Sequence, residues 1–334
     1  MKAALIYAPR DIRVEEVDTP RPGPGEIIVR VRACGICGSD LHEYKLGQYP
    51  ELGIPAGVGR IMGHEFAGEI AQMGEGVQGL KVGDRVVTIS YGGNAEYIKI
   101  AAPIRPLVLP IPDTLSFEEA ATNEPLATSL HGVNLAEPKD NQTIVIMGCG
   151  LIGLGALQVL KATSKARVVS VDVSEKRLDM AKKIGADVLV NAAKEDAYQS
   201  MLKLTGSTKL EFLEFPVSGV DTVIDCAGYS AENTAQPPLW QALQIVKPNG
   251  KVVEIAVFEK PCELDMNIIM RKNIYLIGSW AWNPMEFFHA FELIKSGQVN
   301  RKPLITHTFP LEKAKQAYET QLNAREAIKV VIMP

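Results

Sequence analysis

Thr143-Ile144-Val145-Ile146-Met147-Gly148-Cys149-Gly150-Leu151-Ile152-Gly153 is the stretch whose reading decides the fold. An apolar strand runs into a G-x-G-x-x-G turn, and Leu151 to Ala162 continues as an apolar helix. Glycines at this turn let backbone approach a pyrophosphate, and the helix N-terminus directs unpaired N–H groups at its charge. Such a turn is a weak signal by itself. Asp172 strengthens it, because it ends the next strand, where a carboxylate accepts both ribose hydroxyls of adenosine and repels a 2′-phosphate. NAD is therefore expected over NADP, tempered by Arg177, a cation in reach of a ribose or a phosphate. The expected cofactor-binding residues here are Gly148, Gly150, Leu151, Ile152, Gly153, Asp172 and Arg177.

Downstream of this turn, strands alternate with helices: Arg167 to Asp172, Val188 to Val190, Val220 to Asp225, Lys251 to Ile255 and Ile274 to Gly278. The second helix begins at Ser174 as N-cap and stops before Gly185. Six strands with helical crossovers predict a doubly wound parallel α/β sheet. Ser207 to Ser218 fits none of this and reads as a local insertion around Phe212, Phe215 and Pro216. Thr143 to Leu160 carries no charge over 18 residues and imitates a membrane span, but its four glycines argue for strand, turn and buried helix.

Upstream, helical spacing through Glu118 to Leu135 follows a β-rich first hundred residues of barrel or sandwich type. Ile27, Val29 and Val31 alternate against Ile28, Arg30 and Arg32; Phe66 to Ile70, Asp84 to Ile89 and Ala95 to Ile100 continue the pattern between glycine turns. After Gly297, strand-like Ile305 to Phe309, a helix at Leu311 to Leu322 and a strand at Ala327 to Ile332 rejoin this domain. The expected division is 1–126 with 284–334 for the β-rich domain and 127–283 for the dinucleotide domain.

Composition excludes several classes of function. A length of 334 residues suits two domains, and 46% hydrophobic with 22% charged residues is ordinary for a globular chain. Net charge is −4 without a Lys/Arg run, so neither nucleic acid nor a membrane surface is an expected partner. Met1 to Arg10 lacks an apolar leader, and five scattered cysteines are not a disulfide framework; a cytoplasmic location is expected.

Three clusters carry reactive side chains. Ala33-Cys34-Gly35-Ile36-Cys37-Gly38-Ser39-Asp40-Leu41-His42 places thiol, hydroxyl and imidazole together; Gly63-His64-Glu65 adds an imidazole and a carboxylate; Asn123-Glu124-Pro125-Leu126-Ala127-Thr128 puts an acid at the head of an apolar segment. Cys37, His64 and a carboxylate would leave a fourth position open on a catalytic zinc ion. Adjacent side chains on a regular strand point to opposite faces, so His64 and Glu65 share one ion only if the backbone turns there.

Taken with Gly83-Asp84-Arg85-Val86 and the glycine turn, these clusters in this order resemble the zinc-dependent medium-chain dehydrogenase/reductase family over essentially the whole chain. The resemblance implies a GroES-like β-rich catalytic domain joined to a Rossmann domain, with one catalytic Zn²⁺ per chain. Cys37 and His64 match zinc ligands. Glu124 stands where alcohol dehydrogenases often carry cysteine, as in the sorbitol, butanediol and threonine dehydrogenase branch, and Glu65 matches a direct or exchanging ligand; the choice between the two stays open. Ser39 matches the hydroxyl that takes the alcohol proton, His42 the imidazole that passes it outward through the nicotinamide ribose, and Thr128 a nicotinamide contact. The four-cysteine lobe of structural-zinc relatives is missing after Val86, which leaves Cys34 a packed residue. The implied activity is reversible oxidation of a polyol, diol or other secondary alcohol by NAD. A zinc-free quinone or enone reductase and a non-catalytic NAD-binding protein are the alternatives. Tyr44, Gln48, Tyr49, Trp280 and Trp282 are candidate pocket residues. The strand before Trp280 resembles the family's subunit contact, so a homodimer or homotetramer is expected.

Overall fold

The computed structural model describes the chain apart from residues 50–53, 56–57, 102–106, 212, 233–235 and 324, with backbone alone at 48–49 and 54–55. Side chains of Gln48 and Tyr49, and Phe212 in the expected insertion, lie outside the described residues. The chain divides into two compact units, Met1–Ala127 with Pro284–Pro334, and Thr128–Asn283.

In the first unit, Ile27–Gly35 is the strand that organises the rest. It pairs antiparallel with Glu65–Met73, placing Gly35 opposite Glu65. On its other side it pairs with the terminal strand Lys329–Met333, Ile332 opposite Cys34. Arg85–Ile89 and Tyr97–Ile100 extend the sheet, and Ile305–Pro310 lies parallel beside the terminal strand. Alternation of Ile27, Val29 and Val31 buries them against Phe66, Ile70, Val86 and Ile98, one of the unit's cores. A second core, under the short helix Ala314–Leu322, contains Ile36, Tyr44 and Tyr318. Tyr44 is fully buried and its hydroxyl donates to Glu319 at 2.7 Å, so this candidate pocket residue is a core residue. Sheet pairing thus brings three distant segments together around Cys34 to Glu65: residues 33–37, 63–65 and 329.

Helical spacing over 118–135 resolves into two helices, Phe117–Ala121 and Asn123–Ala136. Pro125 explains the break: in an uninterrupted helix it would offer no N–H to Ala121 and its ring would strike that carbonyl, whereas in the first turn of a new helix no such bond is needed. A third helix, Gly38–Leu46, was not expected from periodicity.

The second unit contains a six-stranded, all-parallel sheet with spatial order Val188–Asn191, Arg167–Asp172, Thr143–Met147, Val220–Asp225, Val246–Glu254, Tyr275–Gly278. This is the doubly wound topology expected, with the order reversing beside the first strand, Thr143–Met147. Helix Leu151–Thr163 is buried along most of its length, which accounts for its uniform apolarity. No helix among the described residues is long and apolar enough to cross a membrane. Ser207–Thr208 pairs antiparallel with Val217–Ser218, so the insertion closes as a small ribbon. Phe215 meets Tyr198 edge-on with ring centroids 6.2 Å apart.

Candidate active site

Cys37 is the N-cap of helix Gly38–Leu46, and its N–H donates to Asp40 Oδ2 at 2.9 Å. Asp40, three residues on, therefore fixes the backbone that presents the thiol. Its other oxygen, Oδ1, stands 3.6 Å from His64 Nδ1. A carboxylate behind an imidazole orients the ring and raises its basicity, the arrangement metal-binding histidines use. Burial disfavours the charged imidazolium of His64, but Asp40 and Cys37 outweigh it and raise its pKa well above the usual value. Asp40 itself is held below the usual carboxylate range: burial pushes it up, and His64 pulls it down further. Burial raises the Cys37 thiol, opposed by His64.

The backbone does turn where His64 and Glu65 meet. Gly63 has φ +86°, and a Cβ there would lie 2.7 Å from Cys34 Sγ and 2.8 Å from Asn94 Oδ1. Its carbonyl accepts from Gly92 and Gly93 N–H at 2.9 and 2.8 Å, and the strand starts only at Glu65. Cys34, fully buried, packs against this turn. One donor atom each from Cys37, His64 and Glu65 falls within 4.8 Å of the others. Thiolate, imidazole and carboxylate form a donor set suited to zinc with a position left for water or substrate.

Glu65 has a second claim on it. Its Oε2 forms an ion pair with Lys329 Nζ, both side chains 1% exposed, and that ammonium also donates to Ile36 O at 2.7 Å. A Cβ at Gly35 would fall 2.3 Å from Glu65 Oε2 and 2.6 Å from Lys329 Cε, so glycine makes room for the pair. Glu124, buried in the first turn of Asn123–Ala136, acts on Cys37 electrostatically but is not in the three-donor group. Arg301 is fully buried nearby, its Nε donating to Thr122 Oγ1 at 3.1 Å; burial lowers its pKa to about 10, against the pull of Glu65. Ser39 and His42 both lie on helix Gly38–Leu46, one turn apart and so on one face. Tyr91 is exposed, with its ring 5.6 Å from that of His64.

Asp40, Lys329 and Arg301 were missed from sequence. The signals were slight: an acid three residues after an N-cap, and a single cation, Lys329, in the apolar stretch Ala327 to Ile332; Arg301, beside Lys302 in a mixed stretch, gave none.

In the second unit, a cavity of about 640 Å³ opens at the carboxyl ends of the central strands, lined among others by Gly148, Gly150, Asp172, Arg177, Cys226 and Ala227. Gly148 has φ +88°, and a Cβ on it would strike Ala227 Cα at 2.7 Å. Gly153 lies under Gly148, whose carbonyl oxygen would be 1.9 Å from a Cβ. Gly150 differs from both: the nearest atom to its Cβ position is Arg177 Nη1 at 4.0 Å, and as N-cap it supplies no side chain to the helix's first N–H groups. An uncapped helix N-terminus beside open space and an arginine suits an anion. Asp172 Oδ2 accepts from Cys149 N at 2.6 Å and Oδ1 from Ser174 N at 2.7 Å, so backbone fixes this carboxylate at the cavity edge. Ser174 precedes its helix as expected, though its side chain makes no capping bond. Thr128 is half-buried in helix Asn123–Ala136.

A glycine turn at the reversal point of a parallel sheet, and a three-donor cluster in a β-rich unit, define an oxidoreductase of the alcohol dehydrogenase class. The chain belongs to the zinc-type medium-chain dehydrogenases: residues 23–113 match the alcohol dehydrogenase GroES-like domain and residues 152–296 the zinc-binding dehydrogenase domain. It is 31% identical to an erythritol/L-threitol dehydrogenase of Mycolicibacterium smegmatis, covering 100% of this chain and 98% of that one. The crystal structure of 2R,3R-butanediol dehydrogenase from Bacillus subtilis superposes with a TM-score of 0.83 at 29% identity, over 100% of this chain and 99% of that one. A zinc-binding dehydrogenase structure from Sinorhizobium meliloti 1021, bound to NADP, gives 0.85 at 27% identity, over 100% and 99%. Family and fold are as the sequence led us to expect.

Proposed function

We propose that the chain is a zinc-dependent dehydrogenase that reversibly oxidises a polyol, diol or other secondary alcohol to a ketone with NAD as hydride acceptor. The observation that carries this reading is the convergence of Cys37, His64 and Glu65 donors within 4.8 Å. The first unit is the catalytic domain and the second the cofactor domain. Cys37 and His64 hold the metal together with a carboxylate. Glu65, which also pairs with Lys329, is the one in the donor group, and Glu124 is the reserve. Bound zinc would supply a Lewis acid that lowers the pKa of an alcohol oxygen toward neutrality.

The remaining roles fall to this chain's own side chains. Ser39 Oγ takes the substrate's hydroxyl proton, and His42, one turn further on, releases it to solvent. Asp40 keeps His64 in the orientation a metal ligand needs. The open N-terminus at Gly150, flanked by Leu151, Ile152 and Arg177, binds the pyrophosphate, and Thr128 orients the nicotinamide. Asp172 accepts the adenosine ribose hydroxyls, which favours NAD even though one structural relative holds NADP. Tyr275, Leu276 and Trp280, exposed on and just after the sheet's edge strand, are where a second copy docks. Light scattering that finds a monomer at micromolar concentration would remove the docking assignment. All five thiols are unpaired, in keeping with a cytoplasmic enzyme.

The test is NAD reduction against a panel of polyols, diols, threonine and simple secondary alcohols, before and after chelation. Turnover that needs stoichiometric zinc supports the reading. Undiminished turnover after complete zinc removal, or reduction of quinones and enones alone, would overturn it.

A further inference from the structure

Asp225 and Glu254 end neighbouring parallel strands and stand opposite each other in register. Asp225 is fully buried. Each carboxyl uses one oxygen to cap the turn that leaves its own strand: Asp225 Oδ1 accepts from Ala227 N, and Glu254 Oε1 from Ala256 N, both at 2.9 Å. The other two oxygens, Asp225 Oδ2 and Glu254 Oε2, are buried and find no donor among the described residues, and each carboxyl acts on the other. Two acids so placed can hydrogen-bond each other only with a proton on one of them.

Among the described residues no cation is a cause of either carboxyl's pKa shift. The flanking strands offer Met147 opposite Asp225 and Gly278 opposite Glu254. The titratable groups that sense the pair are the thiols Cys226 and Cys262, with Cys149 acting on Cys226; burial raises all three thiols, so they stay neutral at physiological pH. Two carboxylates cannot both ionise in one desolvated place, and burial, then the neighbouring acid, pushes Glu254 up to about 10.

The turn that Asp225 caps forms part of the cavity, and the turn that Glu254 caps lies beside it. Cys226 and Ala227 line it, and Ala227 packs on Gly148 so closely that only glycine fits. Beyond the sheet the two strand exits stay side by side: Tyr229 N donates to Val257 O at 3.3 Å, and Glu259 N to Tyr229 O at 2.9 Å.

We propose that Asp225 and Glu254 are a positioning pair for the cofactor crevice, one proton between their inner oxygens tying the two strand exits together and setting the wall that Cys226 and Ala227 present to the nicotinamide dinucleotide. This rests on the cofactor reading of the cavity given above. Loss of the proton places two negative charges side by side, and the exits separate. The acid form is the folded form, so its stabilisation is complete below the ordinary carboxylate range and is lost as pH rises toward about 10.

The experiment compares wild type with Glu254→Gln in the zinc-loaded enzyme, measuring NADH affinity by fluorescence and the melting temperature without cofactor, from pH 7 to 10. Gln replaces the protonated acid, keeping a donor toward Asp225 and an acceptor for Ala256 N. Wild type should lose about tenfold in affinity across the range, equivalent to one unit of linked titration, while Glu254→Gln stays flat. Difference infrared spectra at pH 8 should show a protonated carboxyl carbonyl band in wild type that the variant lacks. Asp225→Asn, which also leaves one donor and one acceptor, should flatten both profiles and keeps the test alive if the first variant fails to fold. Parallel pH profiles in wild type and variant, or no carboxyl band, would overturn the pair. Failure of both proteins to bind NADH or NADPH at pH 7 would instead overturn the cofactor reading, and the wall's role with it.

Discussion

The glycine turn of the parallel-sheet unit takes its parts from neighbouring residues: Gly148, Gly150 and Gly153 lie within one turn, and Asp172 is brought in by the adjacent strand. The donor cluster of the β-rich unit takes Cys37 from a helix cap, His64 and Glu65 from a glycine turn, and Lys329 from the terminal strand. On the proposed reading the turn would satisfy its guest with backbone N–H groups, whose dipoles carry no net charge to bury. The cluster buries ionised side chains and must balance them: Asp40 against His64, Lys329 against Glu65. Backbone recognition tolerates almost any neighbour of small size, whereas side-chain recognition fails if one counter-charge is lost.

The largest effect should come from removing a donor. Cys37→Ser replaces a thiolate by a hydroxyl that does not ionise near neutrality; zinc content should fall to background and kcat/KM on the order of 1000-fold, with the melting temperature nearly unchanged. Full metal content in that variant would break the contrast, because the cluster would then tolerate loss of a side chain. The matching change in the other unit is Gly153→Val. Its Cβ would sit 1.9 Å from the Gly148 carbonyl oxygen, so the turn must move, and NADH affinity should fall about 100-fold, near 2.8 kcal/mol, while zinc is retained. Equal loss of zinc and of NADH would show that the two regions are not separable.

Lys329→Met tests the balance of charge directly. With both partners 1% exposed, removing the ammonium strands Glu65, and breaking a buried pair in this way costs about 3–5 kcal/mol. Urea unfolding should recover most of that loss in Lys329→Met with Glu65→Gln, which takes away both charges. A double variant no more stable than the single one would mean that Lys329 acts through Ile36 O rather than through Glu65.

How far the sequence could be read follows the same division. The parallel sheet was legible because each strand is a short apolar run and the turn is contiguous, so period and glycine spacing are both local signals. Cys37, His64 and Glu65 were legible as residue types, but their meeting depends on antiparallel register, Gly35 opposite Glu65 and Cys34 opposite Ile332, which no local window contains. Helix Gly38–Leu46 escaped because its apolar periodicity is weak; capping by Asp40, not an apolar stripe, marks its start. The shared proton of Asp225 and Glu254 was out of reach for a related reason. Two acids 29 positions apart look like ordinary strand ends until register sets them side by side.

Asp172→Ser carries the smallest expected effect and concerns the one side chain the glycine turn depends on. Its carboxylate already accepts two backbone N–H bonds, from Cys149 and Ser174, so at the cavity edge its orientation is settled and its charge partly spent on the protein. What remains for the cofactor is the difference between a ribose hydroxyl it can accept and a 2′-phosphate it repels, with Arg177 in reach to offset that repulsion. Removing the carboxylate should therefore narrow the NAD-over-NADP preference in kcat/KM by only about tenfold, near 1.4 kcal/mol. A preference that does not move would assign the choice of phosphate to Arg177 and backbone alone, and would make the cofactor turn a site built without any ionised acid. Complete loss of NAD turnover would mean the reverse: Asp172 holds the turn's shape through Cys149 N, and the glycine motif depends on a buried charge as much as the donor cluster does.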